Sequence, residues 1–194
     1  MGPSQSRRRI DREQVLDAAE AIVDEHGWDR LTMAALAGGL GIKVPSLYNH
    51  VEGLDELRGE LQVRTMRSLA AELGAAAMGR AGEDGVRALA RAHRDFARRL
   101  PHRYEGVTRE PFDREAFAEA AVAANAALLA VLREFDFDDA TTLQVELAIF
   151  AGFHGAVMLE ISGFYGDVVD PDALFETVVT AAVATLEGAA QQAA

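Results

Sequence analysis

Residues 31–57 read LTMAALAGGLGIKVPSLYNHVEGLDEL, and two short helical patterns meet inside this stretch at a tight turn. Thr32 offers a hydroxyl that can cap the first pattern, on which Leu36 and Leu40 lie four apart and share a face. Gly41 follows where a helix end commonly turns left-handed, a conformation that glycine adopts without steric penalty. Pro45 opens the second pattern, where a fixed φ and a missing N–H are compatible with a helix start. Leu47 and Val51 turn one side of that helix inward and leave Ser46, Tyr48, Asn49 and His50 outside. A helix this short must be held by packing. Helix, glycine turn and a second helix with an outward polar face form the helix-turn-helix plan, whose second helix enters the major groove of DNA.

The rest of the chain bounds what this motif can serve. Its 194 residues suffice for one or two domains with a sizeable core. With no cysteine, disulfides and Cys-based metal sites are excluded, and the cytoplasm is the expected compartment. Arg7, Arg8 and Arg9 resemble the start of a signal peptide, but Asp11, Arg12 and Glu13 stand where its apolar segment should be. The most apolar run, Ala120–Leu132, is Ala-rich and too short to span a bilayer, so a soluble protein is expected. A formal net charge of −12 opposes general affinity for phosphate. Positive charge is instead local: Arg7, Arg8, Arg9 and Arg12 crowd the N-terminus, and the only lysine, Lys43, precedes the second helix of the motif. Such a distribution fits site-specific binding with weak non-specific affinity.

Working outward, residues 1–9 lack periodicity and read as a disordered basic arm that can lie along phosphates or remain a solvated tail. Asp11–His26 is an amphipathic helix stopped by Gly27, with Trp28 expected to pack beneath the three-helix unit. A long helix, Asp55 to about Met78, leaves residues 10–56, the DNA-binding unit, and continues into a helical domain over residues 57–194. Gly79–Gly85 reads as a loop, Val86–Leu100 as a helix with Arg87, Arg91, Arg94 and Arg98 outward, and residues 102–112 as irregular. Further helices are expected over Asp113–Phe135 and, after an acidic break at Asp136, Asp138 and Asp139, in two closing segments. The last of these is apolar nearly all round at Leu174, Val178, Val179, Ala182 and Leu186, and the one before it carries Leu147 and Ile161. Helices apolar on more than one face need more than one partner, which a two-fold dimer with a four-helix interface supplies.

At Leu31-Thr32, Leu36…Leu40-Gly41-Ile42, Ser46-Leu47-Tyr48-x-His50 and Asp55-Glu56-Leu57, the chain resembles the DNA-binding domain of the TetR family of bacterial transcriptional regulators. The resemblance implies an all-α homodimer with an N-terminal three-helix DNA-binding domain and a C-terminal helical domain for ligand binding and dimerisation. Position by position it implies DNA contacts from Thr32, Lys43, Val44, Pro45, Ser46, Tyr48, Asn49 and His50. Tyr48 and His50 are expected on phosphates, Lys43 and Asn49 on base edges, and Val44 or Pro45 on thymine methyls. There are two departures from the family pattern. Gly38-Gly39 weakens the first helix of the motif, and Glu52, Gly53 and Leu54 stand where many relatives place a phosphate-binding lysine.

The later segment Phe153-His154-Gly155, followed by Leu159-Glu160, is similar to the Trp-His-Gly segment of one branch of the family. An effector pocket is expected among Met66, His93, Phe96, Tyr104, Phe117, Phe150, His154 and Met158, an apolar set with a few polar tips. No His-Glu-x-x-His, Glu-x-x-His, phosphate loop or nucleophile elbow is present, so neither an enzyme, a metal nor a cofactor is expected. His26 and His102 read as surface residues. The expected function is a repressor that leaves a pseudo-palindromic operator when a small, largely apolar effector binds. Two other readings stay open: an activator or corepressor-dependent regulator, and a helical ligand-binding or enzyme-like bundle that keeps its helix-turn-helix as scaffold.

Overall fold

A computed structural model describes residues 10–193, whose regular elements are all helical. The basic arm, residues 1–9, lies outside the described residues. α1 (Arg12–His26) opens on a reciprocal cap: the Gln14 N–H donates to Asp11 Oδ1 at 2.9 Å, and the Asp11 N–H donates to Gln14 Oε1 at 3.2 Å. A 3-10 turn at Trp28–Arg30 leads to α2 (Met33–Leu40) and α3 (Val44–Leu47). α4 (Leu54–Ala77) then runs out of this unit into a bundle of α5 (Gly82–Arg99), α6 (Pro101–Val107), α7 (Arg114–Leu132), α8 (Asp139–Ile161) and α9 (Pro171–Ala193).

Two hydrophobic cores result. Val15, Leu16, Trp28, Leu31, Leu36, Leu47, Val51, Leu57 and Leu61 make the first; Leu69 and Ala77 of α4 join α5–α9 in the second. The change of core therefore falls inside α4, between Leu61 and Leu69, rather than at residue 57, because one continuous helix serves both. α4 packs most extensively along α7, and α8 along α9.

Several sequence expectations change in three dimensions. α5 begins at Gly82, four residues before Val86, with Glu83 and Asp84 placed favourably in its first turn. Residues 101–107 are helical: Pro101 starts α6 rather than breaking the chain, and Tyr104, Gly106 and Val107 are buried. The arginine row of α5 is not a solvated face. Arg94 is bidentate to Glu160 at 2.7 and 2.9 Å, reaches Asp172 at 2.7 Å and lies over the Phe175 ring. Arg98, though exposed, adds Glu160 and Asp172, and Arg87 adds Glu176, so this row ties α5 to α8 and α9; Arg91 alone of the four makes no ion pair among the described residues. Finally, α7, α8 and α9 are long and apolar enough, by length and composition only, to cross a membrane. The Ala120–Leu132 run is only part of a 19-residue helix, which is why it looked too short in isolation.

Candidate DNA interface and effector cavity

The motif's geometry follows from its local sequence. The Ala35 N–H donates to Thr32 Oγ1 at 3.0 Å, starting α2, and Gly41 ends it at φ 67° with Ile42 N–H returning to the Ala37 carbonyl at 3.0 Å. Lys43 precedes the first residue of α3, Pro45 sits in its first turn, and Leu47 and Val51 are buried in the first core. Their burial fixes the outward set: Lys43, Pro45, Tyr48 and Asn49 are exposed, as is Thr32, while Val44, Ser46 and His50 are half-buried beside them. The expected set thus falls in two places, Thr32 at the start of α2 and the others along the four-residue α3 and the turns through Tyr48–His50 that follow it.

The charge around this face differs from expectation. Arg12 points into the unit and pairs with Glu56 at 2.8 Å and Glu60 at 3.1 Å, hydrogen bonds that raise its pKa. It therefore adds no open positive charge to the face. Arg30, just before Thr32, is exposed and has no ion pair among the described residues. Sequence reasoning missed it because a lone arginine between Asp29 and Leu31 carries no periodic signal.

Behind the motif, three contacts fasten it to the C-terminal bundle. Trp28 is buried, its Nε1–H donates to the His102 carbonyl at 2.6 Å, and its ring lies against Gly106, where no side chain fits. His102 is accordingly half-buried, not a surface residue, with its ring against Gly27. Arg103 of α6 reaches Asp24 and Glu20 of α1. Gln62, fully buried on α4, donates to the Gly106 carbonyl at 2.9 Å and accepts from the Phe112 N–H at 3.0 Å. α6 is therefore held by both units.

A cavity of about 300 Å³ lies between α4, α5, α7 and α8. Met66, His93, Phe117 and Phe150 line it as expected, together with Leu69, Leu73, Leu89, Asn125, Glu146, Leu147 and Phe153, which sequence reading did not place there. Phe96, Tyr104, His154 and Met158 do not line it. Phe96 is fully buried in the second core and Met158 packs against that core. Tyr104 and His154 instead stand behind His93 in a hydrogen-bonded row: His93 Nε2 to Tyr104 Oη at 2.6 Å, and Tyr104 Oη to His154 Nδ1 at 2.8 Å. The one phenolic proton serves one imidazole, so the other imidazole must donate to the phenol oxygen. Burial, reinforced by His154, lowers the His93 pKa to about 4; burial also lowers His154 and raises Tyr104. All three are neutral at physiological pH.

Of the residues expected at a dimer interface, Val179, Ala182 and Leu186 are buried in the chain's own core, at 2, 7 and 1 % exposure, and are corrected to that role. Ile161, Leu174 and Val178 are half-buried, and Leu147 is open. An apolar helix offers no periodic cue to which face its own chain covers. Exposed apolar side chains gather instead on one face of the first half of α8, at Leu143, Leu147 and Phe150, and α9 has a face of small exposed residues at Thr177, Thr180, Ala181 and Ala184.

Comparison with known proteins bears on both halves. Residues 15–60 match the profile of bacterial regulatory proteins of the tetR family, and residues 86–182 that of the tetracyclin repressor-like C-terminal domain. The chain is 36 % identical over 181 residues, 92 % of its length and 83 % of the relative's, to the uncharacterized HTH-type transcriptional regulator Rv0681 of Mycobacterium tuberculosis. Over 60 residues, 29 % of this chain and 28 % of the relative, it is 45 % identical to the class D tetracycline repressor protein of Escherichia coli. Among solved structures it is similar to SCO4313, with a TM-score of 0.76 and 25 % identity over 89 % of this chain and 95 % of that one. The fold is also that of SCO7222, a TetR from Streptomyces coelicolor, with a TM-score of 0.71 and 19 % identity over 94 and 99 % of the two chains. These matches favour a regulator over an enzyme-like bundle with a vestigial motif, and the chain belongs to the TetR family of ligand-responsive, DNA-binding transcriptional regulators.

Proposed function

We propose that this chain acts in the cytoplasm as a homodimeric repressor, released from a pseudo-palindromic operator when a small, largely apolar ligand fills the cavity between α4, α5, α7 and α8. The observation that carries the reading is continuity: Met66, Leu69 and Leu73 on the cavity wall and Leu57 and Leu61 beneath the motif belong to one helix. Tyr48, His50, Thr32 and Arg30 contact phosphates and set the register; Lys43 and Asn49 read base edges, with Val44 and Pro45 against thymine methyls and Ser46 on the half-buried flank. The exposed stripe of α8 and the small-residue face of α9 pair with a second copy, placing two recognition helices one helical turn of DNA apart.

The ligand acts by preferring the arrangement that cannot hold DNA, since equal affinity for both arrangements shifts nothing. Residues on both sides of the cavity, Val107 on α6 and Met66 on α4, give it purchase on the elements that Trp28 and Gln62 fasten to the motif. Gel shifts against DNA flanking the chain's own gene test the proposal. The expected result is a retarded complex, weakened steeply by salt and dissolved by the effector. A protein that runs as a monomer at micromolar concentration and ignores every upstream duplex would refute it.

A further inference from the structure

The walls of the cavity are apolar except at Glu146, His93 and Asn125. Asn125 is an exposed residue of α7, and His93 already has its Nε2 engaged by Tyr104 at 2.6 Å. Glu146 is different. It stands on α8 with only 9 % of its surface exposed, and among the described residues no arginine, lysine or hydrogen-bond donor pairs with it. Its carboxyl pKa is raised, and burial is the only cause. No lysine or arginine lines the cavity. Its unpaired carboxyl oxygens stay open to the cavity, where apolar neighbours solvate a carboxylate poorly and a cation brought in from outside pairs with it. Phe117, Phe150 and Phe153 also line the cavity, and aromatic rings attract the same kind of charge.

We infer that the effector is a lipophilic organic cation, a compact apolar skeleton bearing a protonated amine or quaternary ammonium that pairs with Glu146, and that carboxylate ligands of the same size are rejected. The inference deepens the effector-cavity reading proposed above and rests on it. The sign of the ligand's charge follows from the one ionisable wall group that has no partner. The size of the skeleton follows from a cavity of about 300 Å³, at the lower end of the range for small-molecule sites.

Calorimetric titration of the intact protein with phenylbutylamine, phenylbutanol and phenylbutyrate tests this, because the three share a skeleton and differ only in charge. The amine is expected to bind about tenfold tighter than the alcohol, and the acid more weakly than either. Glu146→Gln is expected to lower amine affinity about tenfold and leave the alcohol within about twofold. Ala121→Trp, which fills the cavity from α7, is expected to abolish all binding. Equal binding of amine and alcohol to the unaltered protein overturns the inference without any variant. An unchanged amine affinity in Glu146→Gln, with binding still blocked by Ala121→Trp, overturns the charge pairing and leaves the cavity reading intact. Binding that survives Ala121→Trp, or no binding by any of the three, overturns the cavity reading and the inference with it.

Discussion

Gly106→Ala is the sharpest test of how the DNA-binding unit is fastened to the bundle. A methyl group there would fall within the Trp28 indole, nearest Cζ2 and Cε2 and 2.5 Å from Nε1, about 1 Å inside ordinary contact. Gly106 has no positive φ, so the substitution brings steric conflict without backbone strain. The ring must move, and in moving it gives up the 2.6 Å hydrogen bond to the His102 carbonyl. Overpacking a tight core costs about 1–3 kcal/mol. The lost hydrogen bond adds about 0.5–1.5 kcal/mol, for a total of about 1.5–4.5 kcal/mol. Trp28 is the chain's only tryptophan, so its emission reports on this joint without labelling. Guanidinium melts followed by circular dichroism give the stability, and native emission shifted to the red gives the displacement. Trp28→Phe provides the control: Gly106→Ala in that background should cost at least about 1 kcal/mol less. A Gly106→Ala protein within about 0.5 kcal/mol of the parent, with unshifted emission, would refute a close interlock.

Acid should weaken the fold through His93, whose pKa falls from 6.5 to about 4 on burial. Between those values the unfolded chain takes up a proton that the native state refuses, so stability held above 6.5 is lost as the pH falls towards 4. The loss totals about 3 kcal/mol, His154 adds in the same direction, and a melt whose midpoint ignores pH across this window would contradict it. Gln62→Leu strands the Gly106 carbonyl and the Phe112 N–H and should cost about 2–3 kcal/mol by denaturant melt, with near-neutrality counting against the clamp. Gly38→Ala and Gly39→Ala meet open space and should each stabilise by about 1 kcal/mol. Loss of operator binding in either stabilised variant would mean that DNA approaches the backbone there. Tyr48→Phe and His50→Ala should weaken every duplex alike in gel shifts, whereas Lys43→Ala should also relax preference at particular bases. Uniform loss from Lys43→Ala would make it a phosphate contact.

The motif was readable in the sequence because each of its decisions is local: Thr32 caps within three residues, Gly41 turns at one position, and Leu47 and Val51 share a face four apart. α6 was hidden by the same logic. Prolines at 101 and 111 bracket a segment whose helix is held by Trp28 and Gln62, residues 74 and 48 or fewer positions away in the chain. Arg94 looked like a member of an outward row, and only the arrival of Glu160 and Asp172 from other helices buries it. The cavity was half legible. Aromatic residues at helical spacing marked Phe117 and Phe150, but nothing local separates Glu146 from the surface glutamates, and nothing separates Tyr104, behind the wall, from His93, on it.

Taken as the pivot of the proposed release, the clamp at Gln62 makes α4 a rocker arm. At about 1.5 Å per residue, Leu54 lies about 12 Å to one side of this pivot and Leu73 about 16 Å to the other. Arms of such similar length amplify nothing: a displacement of Leu73 arrives at Leu54 reversed in sense and reduced by about a quarter. On the proposed mechanism, a molecule in the cavity must therefore push by ångströms to dislodge the motif by ångströms, and the added gain comes from a second copy rocking the opposite way.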